Sequence, residues 1–275
     1  MPIDASKVPY CGTPPQPGAL WTQWNLDPVL MAALLLVLAV YLRAAGGRVS
    51  SSNGSVTGSI ERNCFVAGWT VLALAWISPL CNLTVALFSA RVGQHMLVVL
   101  VAAPLLVLGR PFEILVRAWP VPMRAVAPAL AQLARAPLAA ALFALLLWLW
   151  HLPRPYRATF ESDLLYWTMH LTLLASALCL WHVLICRERR ELQRAVVAGI
   201  VTVVQMGLLG AAITLAPRLL YDPHVLTTQL WGLTPLEDQQ LGGLIMWVPG
   251  CAIVILAALA AVGRTLLSPA SSVQR

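Results

Sequence analysis

The sequence predicts an all-α polytopic membrane bundle of seven transmembrane helices, on three observations. The 275 residues are 59% hydrophobic and only 11% charged, with a mean hydropathy of +0.78. That is too apolar for a soluble globular domain. Apolar runs long enough to cross about 30 Å of hydrocarbon recur along the chain. Basic residues concentrate in alternate connecting segments, as the positive-inside rule requires of a multi-span protein.

Taken in order, residues 1–27 form a polar, proline-rich outer tail with no basic n-region or apolar h-region of a cleavable signal. The transmembrane domain occupies residues 28–263, and residues 264–275 form the other tail. Its predicted spans are 28–46, 64–88, 92–109, 138–152, 164–186, 195–216 and 240–262. The second and third are nearly continuous, parted only around "FSARVG", which reads as a tight helical hairpin.

Orientation follows from arginine. Arg43, Arg48, Arg62, Arg110, Arg117, Arg124, Arg135, Arg187, Arg189, Arg190, Arg194, Arg264 and Arg275 fall on one side, 13 of the 18 basic residues. Lys7, Arg91, Arg154, Arg157 and Arg218 fall on the other, with most of the acids. The N-terminus is therefore expected outside, in the bacterial periplasm, and the C-terminus in the cytoplasm. The net charge of +7 is accounted for by topology, so nucleic acid is discarded as a partner and membrane lipid is the surrounding medium. Seven spans with an outer N-terminus also describe a retinal protein. Retinal needs a lysine within a helix, and the one lysine, Lys7, lies in the tail.

With a rise of about 1.5 Å per residue, His95 and Met96 lie within a turn of the outer surface, and His151 closes the fourth span at the same side. Met169 and His170 lie one to two turns down the fifth span, and Met246 a similar depth down the seventh, below Glu237 and Asp238 at its mouth. Three of the five histidines thus share one depth. Polar groups inside a membrane are costly and mark function. Imidazole with thioether favours soft Cu(I), which accepts two or three ligands, over zinc or magnesium. The metal ligands expected are His95, His151, His170, Met96, Met169 and Met246, with Glu237 and Asp238 as hydrogen-bond partners behind them. His182 and His224 read as ordinary interfacial or hydrogen-bonded histidines, Met206 as packing, and Trp148, Trp150, Trp167 and Trp231 as an aromatic belt. Cys11 and Cys81 both fall on the outer side, where either a disulfide or a pair of thiol ligands suits them. Cys64, Cys179, Cys186 and Cys251 read as apolar fillers.

The segments "YCGTPP…WNLDP", "SPLCNLTVALFSARVGQHMLVVLVAAPLLVLGRP", "WLWHLPRPYRATFESDLLYWTMHLTLL" and "EDQQLGGLIMWVPG" resemble the CtaG family of cytochrome c oxidase assembly factors, the membrane-integral type associated with caa-type oxidases. The resemblance spans nearly the whole chain and implies a non-enzymatic, seven-span protein of the bacterial inner membrane that helps build haem–copper oxidase. Delivery of copper to oxidase subunit I or II, with periplasmic copper chaperones as further partners, is the role it suggests. By motif it covers His95, His151, His170, Met246 and the Glu237–Asp238 pair. Haem binding, with His95 and His170 as axial ligands, is the alternative. No tryptophan-rich "WxWD" loop of a haem handler is present. A through-path for transport is thin, since mainly Thr172, His182 and Gln205 continue inward. No Ser/His/Asp spacing or phosphate loop points to an enzyme.

Overall fold

The computed structural model describes residues 8–46, 56–119, 131–185 and 192–267, with residues 125, 128 and 129. Lys7, Arg48, Arg124, Arg187, Arg189, Arg190 and Arg275, used above for orientation, lie outside the described residues, as do Asp4 and Cys186.

The described chain is helical, with no strand among the described residues. Helix α1 (Pro28–Gly46) is followed by α2 (Val56–Ile77) and α3 (Pro79–Ala86). Helix α4 (Phe88–Leu97) passes through a π turn (Val98–Ala102) into α5 (Ala103–Leu108), and α6 (Pro111–Ala118) follows. Next come α7 (Ala136–His151), α8 (Pro153–Glu161), α9 (Asp163–Leu184) and α10 (Leu192–Thr214). Helix α11 (Pro235–Ile245) continues through a second π turn (Met246–Gly250) into α12 (Cys251–Leu267). Five helical stretches are long and apolar enough to cross a membrane, or up to seven if each of two bent pairs is one span. The bent pairs are α2–α3, at 50°, and α7–α8, at 71°.

Each bend has a local cause. Ser78 caps α3, its hydroxyl accepting from Leu80 N at 3.3 Å, and Pro79 at the first helical position has no N–H to continue α2. Pro153 does the same to α7, after Leu152 in an extended conformation. The break expected at "FSARVG" is therefore corrected. Residues 88–97 are helical, and the chain turns instead at Ser78–Pro79 and at Leu87. With that shift Arg91, read from the sequence as an outer-loop charge, moves inside the bundle and is 2% exposed.

Helix α4 has no capping side chain of its own at Leu87. Asp238 of α11 supplies one across the bundle. Its carboxylate accepts from Phe88 N at 2.6 Å, from Ser89 N at 3.1 Å and from the Ser89 hydroxyl. A carboxylate at a helix N-terminus satisfies orphan N–H groups and opposes the helix dipole.

Helix α10 meets α11 through glycine. A β-carbon on Gly243 would stand 2.7 Å from Thr214 N and 2.8 Å from Gly210 O. One on Gly210 would stand 3.0 Å from Gly243 O. Small residues let membrane helices approach to backbone contact. Because backbone cannot yield as a side-chain tip can, Gly243→Ala is expected to cost roughly 2–3 kcal/mol. The check is a lowered melting temperature of the detergent-purified protein.

The N-terminal segment is bolted to the end of the bundle that carries α3 and α8. Cys11 and Cys81 form a disulfide across 70 residues. Asn82 donates from its side-chain amide to Cys11 O. Tyr10 stacks on Tyr166 at 5.0 Å and donates to Asp27 at 2.7 Å. That hydrogen bond, with those from Val29 N and Leu30 N, holds the Asp27 carboxyl below its ordinary range.

Candidate metal site

Three helices converge their histidines beneath this disulfide-linked end. His95 lies in the last turn of α4, His151 is the final residue of α7, and His170 lies about two turns into α9. All three are buried, at 5%, 6% and 1% exposure. The ring centres of His95 and His170 are 5.0 Å apart, and those of His95 and His151 6.5 Å.

Neighbours hold the segments that carry the rings. Gln94, beside His95, donates to Ala75 O at 2.6 Å and ties α4 to α2. Trp181 donates to Val99 O at 2.6 Å, satisfying a carbonyl in the π turn that follows His95. His151 Nδ1 sits 2.7 Å from Leu147 O, so it carries the proton and leaves Nε2 with its lone pair. Tyr221 donates to His151 O at 2.8 Å and closes the end of α7. His170 is walled by Tyr166, Trp76 and Trp167, at 4.4, 5.9 and 6.1 Å between ring centres. The Nε2 atoms of His95 and His170 are buried and bond to no described protein group. A buried polar atom left without a partner demands an explanation.

The geometry fits a low-coordinate ion. Two imidazoles bound at about 2.0 Å place their ring centres about 5–6.5 Å apart, according to the angle at the metal. His95 and His170 stand at the bent end of that range and His95 and His151 at its limit. No ready-made cluster of three His, Cys, Asp or Glu side chains is present among the described residues.

The methionines divide. Met169 Sδ lies 3.9 Å from Arg91 Nη2, beside His170. Met96 lies against Gly250: its sulfur would be 3.5 Å from a β-carbon there, and Met206 Sδ 3.6 Å from the same point. Met246, at the start of the second π turn, is fully buried. Neither carboxylate behind the expected site touches a histidine. Glu237 is spent on a capping box with Thr234 N and Oγ1, each at 2.8 Å. Asp238 caps α4, as described above.

The sequence alone did not single out Arg91 or Tyr166, while Met206 is buried in the core as its packing role requires. Arg91 stands one helical turn before His95 on the same helix face, a spacing that was legible had "FSARVG" been read as helix. His224 is hydrogen-bonded rather than interfacial, the second of the two ordinary roles expected of it: it is 1% exposed and its Nε2 lies 2.6 Å from the Tyr156 hydroxyl. Burial, with Arg91 adding to it, pushes His224 down to about 3, so it is neutral at physiological pH. His182 is exposed.

The disulfide borders this site. Cys11 Sγ is 3.2 Å and Cys81 Sγ 3.7 Å from the Tyr166 hydroxyl, and the Tyr166 ring rests on His170. Closing a loop of this length restricts the unfolded chain by about 4 kcal/mol. Cys81→Ser is expected to lower the melting temperature in detergent, and a reductant should bring the wild-type protein to the same value.

A helical membrane protein with unpartnered imidazoles gathered at one end of its bundle is the class that fold and site define. The chain belongs to the cytochrome c oxidase caa3 assembly factor family (Caa3_CtaG), whose model matches residues 29–267, most of the chain. All three histidines and both π turns fall inside the match. No curated protein and no solved structure matches the chain.

Proposed function

We propose that this protein binds Cu(I) between His95 and His170, with Met169 as the third ligand and His151 beside them, and hands it to a nascent haem–copper oxidase. The observation that carries the reading is the pair of buried, unpartnered Nε2 atoms on facing helices. Membership of an oxidase assembly family gives the pair a use. Copper is cargo here, so a site of two or three neutral ligands suits an ion that must leave again. Met96 and Met206 lie against Gly250 of the second π turn, which begins at Met246, and the three are read as an auxiliary thioether surface. The protein is a carrier with no catalytic step.

The bundle is read as seven spans in the bacterial inner membrane, each bent pair counting as one, with the N-terminus outside. The arginine distribution supports this orientation, as does a disulfide, which persists in oxidising compartments. The site then opens toward the periplasm, within reach of an oxidase subunit I or II and of a copper chaperone. A porphyrin plane held between two axial imidazoles needs ring centres about 6 Å apart or more. The 5.0 Å between His95 and His170 is too short for that pair to serve as its axial ligands.

The test is complementation of a strain lacking this protein. His95→Ala and His170→Ala should yield oxidase that is assembled in part, copper-deficient and inactive, with activity restored in part by copper in the medium. Full oxidase activity from both variants in copper-limited medium would overturn the reading.

A further inference from the structure

Among the described residues, Arg91 is a buried cation with no carboxylate partner. Its Nη2 donates to Thr159 Oγ1 at 2.6 Å and lies 3.9 Å from Met169 Sδ. Its guanidinium carbon sits 4.3, 5.1 and 5.7 Å from the ring centres of Phe160, Tyr156 and Tyr166. Thr159 is itself oriented, donating to Tyr156 O at 2.7 Å, so that a lone pair faces the guanidinium. None of the ion pairs among the described residues includes Arg91. The one buried carboxylate nearby, Asp238, caps the same helix one turn earlier and bonds backbone and Ser89.

Burying an uncompensated charge is expensive, and ring faces return only part of the cost. Stability alone does not account for this placement, because an apolar side chain at position 91 would pack among the same rings without it. The guanidinium touches Met169, next to His170, and stands one turn from His95, so its field falls on the proposed copper site. A fixed positive charge opposes a bound cation in proportion to that cation's own charge. A divalent ion therefore meets twice the opposition that a monovalent ion meets.

We propose that Arg91 is the valence selector of this site, excluding divalent ions such as Zn(II) and weakening the hold on Cu(I) enough for transfer. This rests on the copper reading above. It adds a property that the ligands do not supply, since imidazole alone binds zinc well. Arg91 acts as a positioning charge and is not itself a ligand.

The test uses detergent-purified full-length protein and two probe ions, Ag(I) for the monovalent class and Zn(II) for the divalent, in equilibrium competition assays. Wild type and Arg91→Lys, which keeps the charge, should bind Ag(I) and hold Zn(II) far more weakly. Arg91→Gln should bind Ag(I) about tenfold more tightly and Zn(II) about a hundredfold more tightly, the square of the first factor. Equal gains for both ions, or no gain for either, would overturn the inference while leaving the copper reading standing. So would wild-type protein that binds Zn(II) as tightly as Ag(I), a comparison that needs no variant to fold. Wild-type protein that binds no Ag(I) would overturn both readings together.

Discussion

Asp238→Ala is expected to be the most destabilising substitution of a polar side chain in the bundle. The carboxylate is fully buried and closes the N-terminus of α4 through Phe88 N, Ser89 N and the Ser89 hydroxyl. Its removal leaves two backbone N–H groups buried without acceptors and strips the dipole of its counter-charge. A loss of roughly 3–5 kcal/mol follows from those costs together. Asp238→Asn keeps one acceptor oxygen and should recover about half of that. Thermal unfolding in detergent, read by circular dichroism, measures the difference. The consequence reaches function, because α4 carries Arg91 and His95 on the turns that this cap organises. Glu237→Ala, by contrast, opens only an exposed capping box and should leave metal binding unchanged.

The second large effect is at the imidazoles. His95→Ala removes one of two facing nitrogen ligands and should lower Cu(I) affinity by about a hundredfold or more, with His170→Ala equivalent. The fold should tolerate either change, since neither Nε2 bonds another group among the described residues. His182→Ala, an exposed histidine on the same helix as His170, is the control and should bind copper as wild type does. The assay is competition against a chromophoric Cu(I) chelator. If all three variants bound alike, the histidine pair would have no part in holding the metal.

The fold was legible wherever hydropathy carried the signal. The first span is reproduced at 28–46, and the expected 164–186 and 195–216 correspond to α9 and α10 within a few residues. Sequence reasoning went wrong where polar residues are buried. A window containing Ser89 and Arg91 looks like a loop, yet those side chains, and Gln94 beyond them, are each met by another part of the chain. Asp238 answers Ser89, Ala75 answers Gln94, and Phe160 with Thr159 answers Arg91. Such long-range partners leave no local periodicity to read. Convergence of the histidines was visible because helix direction and rise set depth along the bundle. What depth does not reveal is rotation about the helix axis. Met169 therefore turned out to face Arg91 and the proposed site, whereas Met96, adjacent to His95, faces Met206 across Gly250.

The two π turns belong to the same account. Each interrupts a long helix beside a residue of interest, Val98–Ala102 just after His95 and Met246–Gly250 at Met246 itself. Widened turns of this kind recur at functional sites and rotate the residues that flank them. Here one follows α4 directly and the other follows α11.

The central claim is that His95 and His170 jointly hold Cu(I), and copper-edge X-ray absorption on the metal-loaded, detergent-purified protein tests it most directly. The predicted result is about one copper per chain, a scattering pattern of two imidazoles with one sulfur, and loss of half the imidazole signal in His170→Ala. Protein that retained no copper and carried a haem Soret band would contradict it.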